Sequence, residues 1–409
     1  MSPRVDAIRK AFPALRRQHN GHPVAYFDGP GGTQVPQIVV DRMGDYLLHH
    51  NANTHWVYPT SIETDDALLA ARRATALFLN CDPAEVAFGA NMTTMTFHLA
   101  RGIGRALDSG HNIVITELDH HANVAPWQAI ARDRGIELRV ARMIPHTGLL
   151  DIDHLASLID GHTGLVAVGA ASNALGTVNP VRTIADLAHQ NGALVFVDAV
   201  HYAPHFLPDV RDLDCDFLAC SAYKFYGPHV GILYGRRKTL SSVDIPKLEP
   251  APDDVPERVE TGTLNHEGII GTHAAIDFLA SIGAEAGQAT SRASLEASFA
   301  FLHSEATALT GRLWKGLREL DSVSVFGPSP DLQRTPTVAC TVHGLTSDEV
   351  CRQLADEGIF ASNGDFYAQT VVERLGVEGL VRIGCACYTT GEEVDRVVDG
   401  VRRLANGRR

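Results

Sequence analysis

Two residues of this chain have the types and the spacing for covalent chemistry on an aldehyde. Lys224 ends a Ser-x-x-Lys turn in the segment 220–229, and Asp198, 26 residues earlier, ends the apolar run 193–198. A lysine amine can hold the aldehyde of pyridoxal phosphate (PLP), and an aspartate can keep the pyridine nitrogen protonated, so that the ring withdraws electrons from a substrate α-carbon. On their own, the two residues fit a PLP site and equally fit a loop lysine and a helix-capping aspartate.

Three further segments supply groups that such a cofactor needs. Asn173 follows the apolar run 165–169 and could donate a hydrogen bond to a phenolate-like ring oxygen. His120 follows the strand-like run 112–116, and its flat imidazole could stack on a pyridine ring. The segment 86–94 has the pattern of a strand that turns into a helix, and the backbone N–H groups of a helix N-terminus bind phosphate.

The order of these segments resembles that of the class V aminotransferase family of PLP enzymes, and within it the cysteine desulfurase/selenocysteine lyase branch. The resemblance begins at Ala25-Tyr-Phe-Asp-Gly-Pro-Gly-Gly-Thr33 and ends near Val381-Arg-Ile-Gly384. Between them it covers His120-His-Ala-Asn123, Ser172-Asn-x-x-Gly-Thr177, Asp198-Ala-Val-His201 and Ser221-x-x-Lys224-x-Tyr-Gly-Pro228. The match runs over nearly the whole chain, and it implies a PLP-dependent transferase fold of type I.

The resemblance implies a role for each site residue. It implies catalytic roles for Lys224, His120 and Asp198. It implies that the cofactor is bound by Met92, Thr93, His120, Asn173, Asp198, His201, Ser221, Tyr223, Lys224 and Thr263. Arg382 matches the family arginine that binds the α-carboxylate of an amino-acid substrate, and a guanidinium fork suits a carboxylate. Asn173 and His55 are expected beside the same small-molecule substrate.

A homodimer is a further implication of the resemblance. The segment Glu260-Thr-Gly-Thr-Leu-Asn265 matches the family segment that crosses a two-fold interface. Thr263 is therefore expected to reach the cofactor phosphate of the partner subunit, which gives two composite sites.

Composition indicates a water-soluble enzyme. The chain has 409 residues, of which 45% are hydrophobic, and its formal net charge of -13 argues against nucleic acid or an anionic membrane as a main partner. No run of 18 apolar residues predicts a membrane span. Seven cysteines without framework spacing favour reduced thiols in the cytoplasm. His201 and His205 have the spacing of a helical metal pair, but Pro204 lies between them, and no metal site is predicted.

The pattern of elements predicts an α/β fold. Seven apolar runs between residues 85 and 234 alternate with helical segments, which favours a large, mostly parallel seven-stranded sheet. Helical and strand-like segments from 281 onward predict a smaller α+β domain at the C-terminus. We expect the large PLP-binding domain to comprise residues 20–280, and the small domain to comprise residues 1–19 together with 281–409.

One departure from the family pattern bears on the reaction. Cysteine desulfurases carry a persulfide-forming cysteine on a small-domain loop, and the matching position here is Tyr367, with no cysteine within ten residues on either side. Cys385 and Cys387 follow in a predicted strand, 380–387, where core thiols are expected. Tyr367 is expected either to face the substrate Cβ, where a phenol can donate a proton but cannot carry sulfur, or only to pack the loop with Phe366.

This departure leads to a prediction of β-elimination rather than desulfuration. The predicted enzyme is a PLP-dependent C–S lyase that cleaves a cysteine S-conjugate and is not a persulfide-forming desulfurase. The alternatives are an oxygen-dependent decarboxylation and deamination of the S-conjugate, a transamination or epimerisation on the same fold, and a non-catalytic PLP-binding scaffold.

Overall fold

The computed structural model describes residues 3–285 and 287–407. Its strands are β1 (Gln18–His19), β2 (His22–Pro23), β3 (Ala25–Tyr26), β4 (Val86–Gly89), β5 (Asn112–Thr116), β6 (Glu137–Ala141), β7 (Met143–Ile144), β8 (Leu149–Leu150), β9 (Thr163–Gly169), β10 (Leu194–Asp198), β11 (Phe217–Ser221), β12 (Gly231–Gly235), β13 (Val323–Phe326), β14 (Thr337–Val342), β15 (Ile359–Phe360), β16 (Ser362–Gly364) and β17 (Leu380–Gly384). Its α-helices are α1 (Pro3–Lys10), α2 (Gln37–His49), α3 (Pro59–Leu79), α4 (Met92–Arg105), α5 (Ala125–Arg134), α6 (Ile152–Leu158), α7 (Val181–Gln190), α8 (Val210–Leu213), α9 (Arg237–Ser242), α10 (His266–Gly283), α11 (Arg292–Arg318), α12 (Ser347–Asp356), α13 (Gln369–Leu375) and α14 (Gly391–Asn406).

The larger of the two main sheets has seven strands in the order β4-β12-β11-β10-β9-β5-β6. The strands from β11 through β6 pair in parallel, whereas β12 is antiparallel to both of its neighbours. Strands β5 and β11 are buried at every position, because helices cover both faces and the side chains are largely Val, Ile, Leu, Phe and Ala. The prediction of a mostly parallel seven-stranded sheet is confirmed.

A second sheet of four antiparallel strands, in the order β13-β14-β17-β16, forms the smaller α+β part. Its apolar side chains pack with those of α11, α12 and α14 in one cluster that includes Leu313, Val350 and Val397. This agrees with the expected smaller part, while the domain boundaries at 19/20 and 280/281 stay a prediction.

The strand predicted for 380–387 is shorter in the structure and ends at Gly384. Gly384 forms a bridge with Asp28, and the ring of Pro30 occupies the space that a Cβ at Gly384 would need. The close approach of this segment ends the strand, so Cys385 and Cys387 lie after it rather than within it.

The N-terminal segment joins the two parts. Strand β3 pairs in parallel with β15 of the smaller part, and the chain then continues through Asp28 toward the ends of the large sheet. Residues 28–31 therefore lie between the two sheets. Among the residues that the structure describes, no helix is long and apolar enough to cross a membrane.

Candidate active site

A cavity of about 820 Å³ lies where several strands of the large sheet end. Open α/β sheets bind ligands at this carboxyl edge. The predicted site residues that line the cavity are Met92, Thr93, His120, Asn173, Asp198, His201, Ser221, Tyr223, Lys224, Tyr367 and Arg382. The structure thus brings together eleven side chains that are spread over 290 residues of sequence.

Lys224 lies in the cavity at the end of a short 3₁₀ turn that follows β11. Its Nζ donates hydrogen bonds to the carbonyl oxygens of Pro30 and of Gly31, the latter at 2.9 Å. Burial, together with the nearby Arg382 guanidinium, lowers the pKa of Lys224 to about 7. A large fraction of this amine is therefore unprotonated at neutral pH, as a nucleophilic lysine requires.

Asp198 is the last residue of β10, and its side chain is buried. Its Oδ1 accepts a hydrogen bond from the backbone N–H of Val200 at 2.9 Å. Burial raises the pKa of Asp198 to about 6, although that hydrogen bond and the charge of Lys224 act in the opposite direction. A cationic group in the cavity would favour the ionised carboxylate.

Asp119 is a second buried carboxyl group at this edge, and the sequence interpretation assigned it no role. It accepts hydrogen bonds from the N–H of Gly169 and from the hydroxyl of Thr116, and Gly169 pairs with Asp198 in the sheet. Burial and the charge of Asp198 raise the pKa of Asp119 to about 8. Its position just after strand β5, at the same edge of the sheet as Asp198 at the end of β10, is the sequence signal that could have identified it.

His120 and Tyr367 lie beside each other in the cavity, with ring centroids 5.6 Å apart and an interplanar angle of 36°. The His120 Nδ1 accepts a hydrogen bond from the N–H of Ala122 at 2.9 Å. Burial, with the positive charge of Lys224, lowers the pKa of His120 to about 4. A neutral imidazole at neutral pH suits the predicted stacking on a pyridine ring.

Arg382, Asn173 and Phe366 form a connected group on one side of the cavity. Arg382 Nη1 donates to the backbone oxygen of Asn173 at 3.0 Å, and its guanidinium carbon lies 4.0 Å from the centroid of the Phe366 ring. Asn173 Nδ2 donates to the backbone oxygen of Phe366 at 2.9 Å. Burial lowers the pKa of Arg382 to about 9, which still leaves it charged at neutral pH. The contact between Phe366 and Arg382 could not be found from the sequence, because it joins the loop after β16 to the middle of β17 through tertiary packing.

The N-terminus of α4 forms another side of the cavity, but one of its predicted phosphate donors is already engaged. The N–H of Met92 donates to Ser221 Oγ at 3.0 Å, and the N–H of Thr94 donates to Asn91 Oδ1 at 2.9 Å. Thr93 lies between them and lines the cavity. Its backbone N–H and its hydroxyl are thus the groups of this turn best suited to an anion.

Two aromatic rings and a buried histidine complete the cavity wall. The rings of Tyr223 and His229 stack with their centroids 4.8 Å apart. His201 is buried, and its Nε2 lies 3.0 Å from each of the hydroxyls of Thr335 and Thr337. His201 is thereby fixed from the side of the smaller sheet.

The structure does not bring two of the predicted residues to this cavity. The side chain of His55 is exposed on the loop before α3, where its Nδ1 lies 3.3 Å from Asp65 Oδ1. Thr263 lines a separate cavity of about 250 Å³, together with Met95 and His98. Within one chain neither residue contacts the site, so their predicted roles depend on a partner subunit.

Three buried polar atoms around the cavity have no hydrogen-bond partner within the protein: Asp28 Oδ1, Asn173 Oδ1 and Arg382 Nε. Unpaired buried groups are costly and indicate ligand sites. PLP with an amino acid supplies what these groups and their neighbours need, namely a pyridinium for Asp198, an aldehyde for Lys224, a phosphate for Thr93 and a carboxylate for Arg382. The residues present fit PLP.

Comparisons with known proteins agree with this geometry. A profile of the family described as Aminotransferase class-V matches residues 25–397. The cysteine desulfurase of Pectobacterium carotovorum subsp. carotovorum (strain PC1) is 33% identical over 422 aligned residues, which cover 99% of this chain and 98% of that protein. The cysteine desulfurase of Serratia proteamaculans (strain 568) is 34% identical, with 99% of each chain covered. The solved apo structure of a cysteine desulfurase from Thermococcus onnurineus NA1 superposes with a TM-score of 0.89 at 29% identity and covers 98% of each chain.

These relatives contradict the predicted reaction. They are named cysteine desulfurases, so the prediction of β-elimination from a cysteine S-conjugate is wrong, as is the exclusion of persulfide formation that rested on Tyr367. The oxidative, transaminating and epimerising alternatives are set aside with it. The physical reason is that β-elimination and desulfuration both break the Cβ–S bond, so the side chain at position 367 does not by itself tell the two reactions apart.

Proposed function

Since this chain belongs to the class V aminotransferase family and is a PLP-dependent enzyme, we propose that it removes sulfur from L-cysteine. The products are L-alanine and a persulfide on an acceptor thiol. The relatives support this choice, since those compared above are named cysteine desulfurases over nearly the whole length of the chain.

The observation that carries the proposal is that the side chains of Lys224 and Arg382 line the same cavity. Arg382 presents a charged guanidinium whose Nε has no protein partner, and this atom suits the α-carboxylate of a small amino acid. Among the residues that the structure describes, Lys224 is the only lysine that lines the cavity, and its lowered pKa lets it both accept and return a proton at neutral pH. The amino acid is then held by its carboxylate with its α-hydrogen toward an amine.

PLP, when bound, accepts the electrons of the α-carbon. The other roles in the reaction are assigned to residues of this chain. Asp198 would hold the ring nitrogen of the cofactor through its carboxylate, and His120 would offer a neutral ring for stacking. Lys224 takes the α-proton, which allows the sulfur at Cβ to be lost to a nucleophile.

The overall reaction balances without an added oxidant. The Cβ–S bond of cysteine breaks and leaves its electron pair on Cβ, which takes up a proton to give alanine. The sulfur forms an S–S bond with the acceptor thiolate and leaves as a persulfide. Cysteine and one thiol therefore yield alanine and one persulfide.

The proposal is tested with the PLP-loaded protein, L-cysteine and an excess of 2-mercaptoethanol. We expect stoichiometric alanine and no pyruvate, with the sulfur recovered as sulfide, because a second thiol reduces the persulfide to a disulfide and sulfide. Arg382→Gln is expected to raise KM for cysteine at least about tenfold, because a charge-assisted pair is lost. Arg374→Gln is the matched control, because Arg374 is a half-exposed arginine paired with Glu117 outside the cavity. Pyruvate and ammonia in place of alanine would contradict the proposal.

A further inference from the structure

A desulfurase needs a thiol acceptor, and no cysteine of this chain lines the cavity. All seven cysteines are within the described residues: Cys81, Cys215, Cys220, Cys340, Cys351, Cys385 and Cys387. Five are buried, and the other two, Cys81 and Cys387, are half-buried. The side chains that surround the cavity contain no thiol.

Burial also suppresses the nucleophilicity of these thiols. It raises the pKa of Cys385 and of Cys387 to about 12, and it raises the pKa of Cys220, the cysteine next in sequence to Ser221, further still. A thiolate attacks sulfur, whereas a thiol does not, and at neutral pH these groups stay protonated. Cys387 lines a different and much smaller cavity, between His205 and Tyr226.

The loop that faces the cavity from the smaller part is held in place by several hydrogen bonds. The N–H of His121 donates to the Tyr367 carbonyl at 2.7 Å, and Asn173 holds the Phe366 carbonyl. The N–H of Tyr367 donates to Asp365 Oδ1 at 2.9 Å. Phe366 and Tyr367 both have positive φ, 58° and 57°, which costs energy for side chains of this size. The loop held in this way presents a phenol, and no thiol, to the cavity.

Part of the cavity lining is apolar and aromatic, and of these side chains only Phe366, through its contact with Arg382, has a place in the proposed handling of cysteine. Phe97, Ala125, Phe366 and Tyr367 contribute to it, and 73% of Tyr367 is exposed. The whole cavity, at about 820 Å³, is in the upper range for small-molecule sites. Cysteine fills only a small part of that space, so there is room for a second small molecule beside the cofactor.

We propose that the sulfur acceptor is a small thiol from solution with an apolar or aromatic body, bound beside Phe97, Phe366 and Tyr367. This inference rests on the proposed desulfuration of cysteine. The acceptor's sulfur attacks the sulfur of cysteine, and the S–S bond forms as the Cβ–S bond breaks. The acceptor then diffuses away as its persulfide, and no cysteine of the protein is modified.

The test follows alanine formation by the PLP-loaded enzyme at fixed, low L-cysteine while phenylmethanethiol or glutathione is varied. We expect the rate to saturate with phenylmethanethiol at a concentration at least about tenfold below that needed for glutathione. Protein quenched during turnover should show no mass gain of one sulfur atom. Cys385→Ser and Cys387→Ser should leave alanine formation unchanged, and a variant with all seven cysteines replaced by serine extends the test if it folds.

A binding measurement separates the acceptor site from catalysis. Phenylmethanol has the same body without the sulfur, and we expect its calorimetric affinity for the PLP-loaded enzyme to fall about tenfold in Phe97→Ala. Leu248→Ala, at an exposed residue outside the cavity, is the matched control and should bind phenylmethanol normally.

The outcomes distinguish the two proposals. Alanine formed without added thiol, together with one persulfide per chain on a protein cysteine, would overturn the small-thiol acceptor and leave desulfuration intact. Better turnover with a protein that bears an exposed cysteine than with phenylmethanethiol would also overturn it. No alanine with any thiol would refute the desulfuration itself, and the acceptor proposal would fall with it.

Discussion

Lys224 and Asp198 face the same cavity, and burial moves their pKa values toward each other. The pKa of Lys224 falls to about 7 and that of Asp198 rises to about 6, because each charged form loses hydration. Each group alone is therefore easy to neutralise near pH 7. A ligand that brings a positive charge to Asp198 and an aldehyde to Lys224 would satisfy both groups at once.

The pH dependence of cofactor capture tests the lowered pKa of Lys224. The unprotonated amine is the form that attacks an aldehyde, so the capture rate should rise with pH and level off above the pKa. We expect the midpoint near pH 7, and not near the ordinary lysine value of about 10.4. The measurement is the absorbance change when protein freed of PLP is mixed with PLP between pH 5.5 and about pH 10. A midpoint above about pH 9 would contradict it.

Replacement of Lys224 tests its role as the residue that holds the cofactor. Lys224→Ala should leave no covalently bound PLP after borohydride reduction, as judged by intact mass, because no other lysine lines the cavity. Lys247→Ala is the control, since Lys247 pairs with Asp253 elsewhere on the molecule. Retention of covalent PLP and of turnover in Lys224→Ala would refute the assignment.

Phe366 is predicted to position Arg382 through the face of its ring. A cation–π contact is worth about 0.5–2 kcal/mol, so Phe366→Leu should raise KM for the amino acid about twofold to thirtyfold and change kcat less. Phe97→Leu removes a ring from the same cavity that does not contact Arg382, and its KM for cysteine should change little. Equal changes in the two variants would show that Phe366 acts through cavity shape alone.

At the scale of elements, the turn after β9 presents Asn173 to the cavity and depends on Gly176. Gly176 has a φ of +78°, and a Cβ there would lie 2.7 Å from the Thr337 carbonyl oxygen. The turn also accepts a hydrogen bond from the Thr335 N–H through the Gly176 carbonyl. This packing connects the large sheet to the smaller one just behind Asn173.

Gly176→Ala is expected to destabilise the protein more than the same change at Gly192. Gly192 has a φ of +79° and nothing within 4 Å of an added Cβ, so it reports the backbone strain alone, roughly 1–2 kcal/mol. Gly176→Ala adds a steric clash of about 1–3 kcal/mol. Urea unfolding of both variants measures the difference. Equal losses of unfolding free energy would mean that the segment 335–337 moves away from the added Cβ without any loss of stability.

The sequence was sufficient to predict the strands whose side chains are buried on both faces of the sheet. Strand β5 has the predicted bounds, 112–116, because a continuous run of Val and Ile indicates a buried parallel strand. The end of β17 could not be predicted, because Gly384 stops the strand through contact with Asp28 and Pro30, which are about 350 residues away in sequence.

For the candidate site as well, the sequence predicts which residues take part but not their contacts. Eleven predicted residues line one cavity, because they follow strand ends or belong to segments shared with the family. The contact between Phe366 and Arg382, the hydrogen bonds of the loop and the engagement of the Met92 N–H by Ser221 depend on the packing of distant segments. The sequence identifies the candidate residues, but it does not show which of them are in contact.

At the scale of the whole molecule, the positions of His55 and Thr263 are consistent with the predicted homodimer. Neither lies at the cavity of its own chain. If each subunit completes the site of its partner, two inactive variants should complement each other. Lys224→Ala and Thr263→Arg, mixed after mild dissociation, should recover about a quarter of wild-type activity, since half of the dimers are mixed and each holds one intact site.

The control for this experiment is each variant treated alone, which should stay inactive. Light scattering should give the mass of two chains for both variants. A monomer with full activity, or a Thr263→Arg variant with normal PLP affinity, would contradict the composite site. The cytoplasmic location stays a prediction.

The low solvent exposure of the seven thiols has a consequence for oxidative damage. Peroxide attacks exposed thiolates first, and each step from sulfenic to sulfonic acid removes a nucleophile. In this chain no cysteine is exposed, and burial raises the pKa of all seven thiols to about 12 or beyond. If the acceptor thiol comes from solution, peroxide would oxidise that co-substrate and would leave the side chains of the active site intact. Turnover would resume as soon as reduced thiol returned.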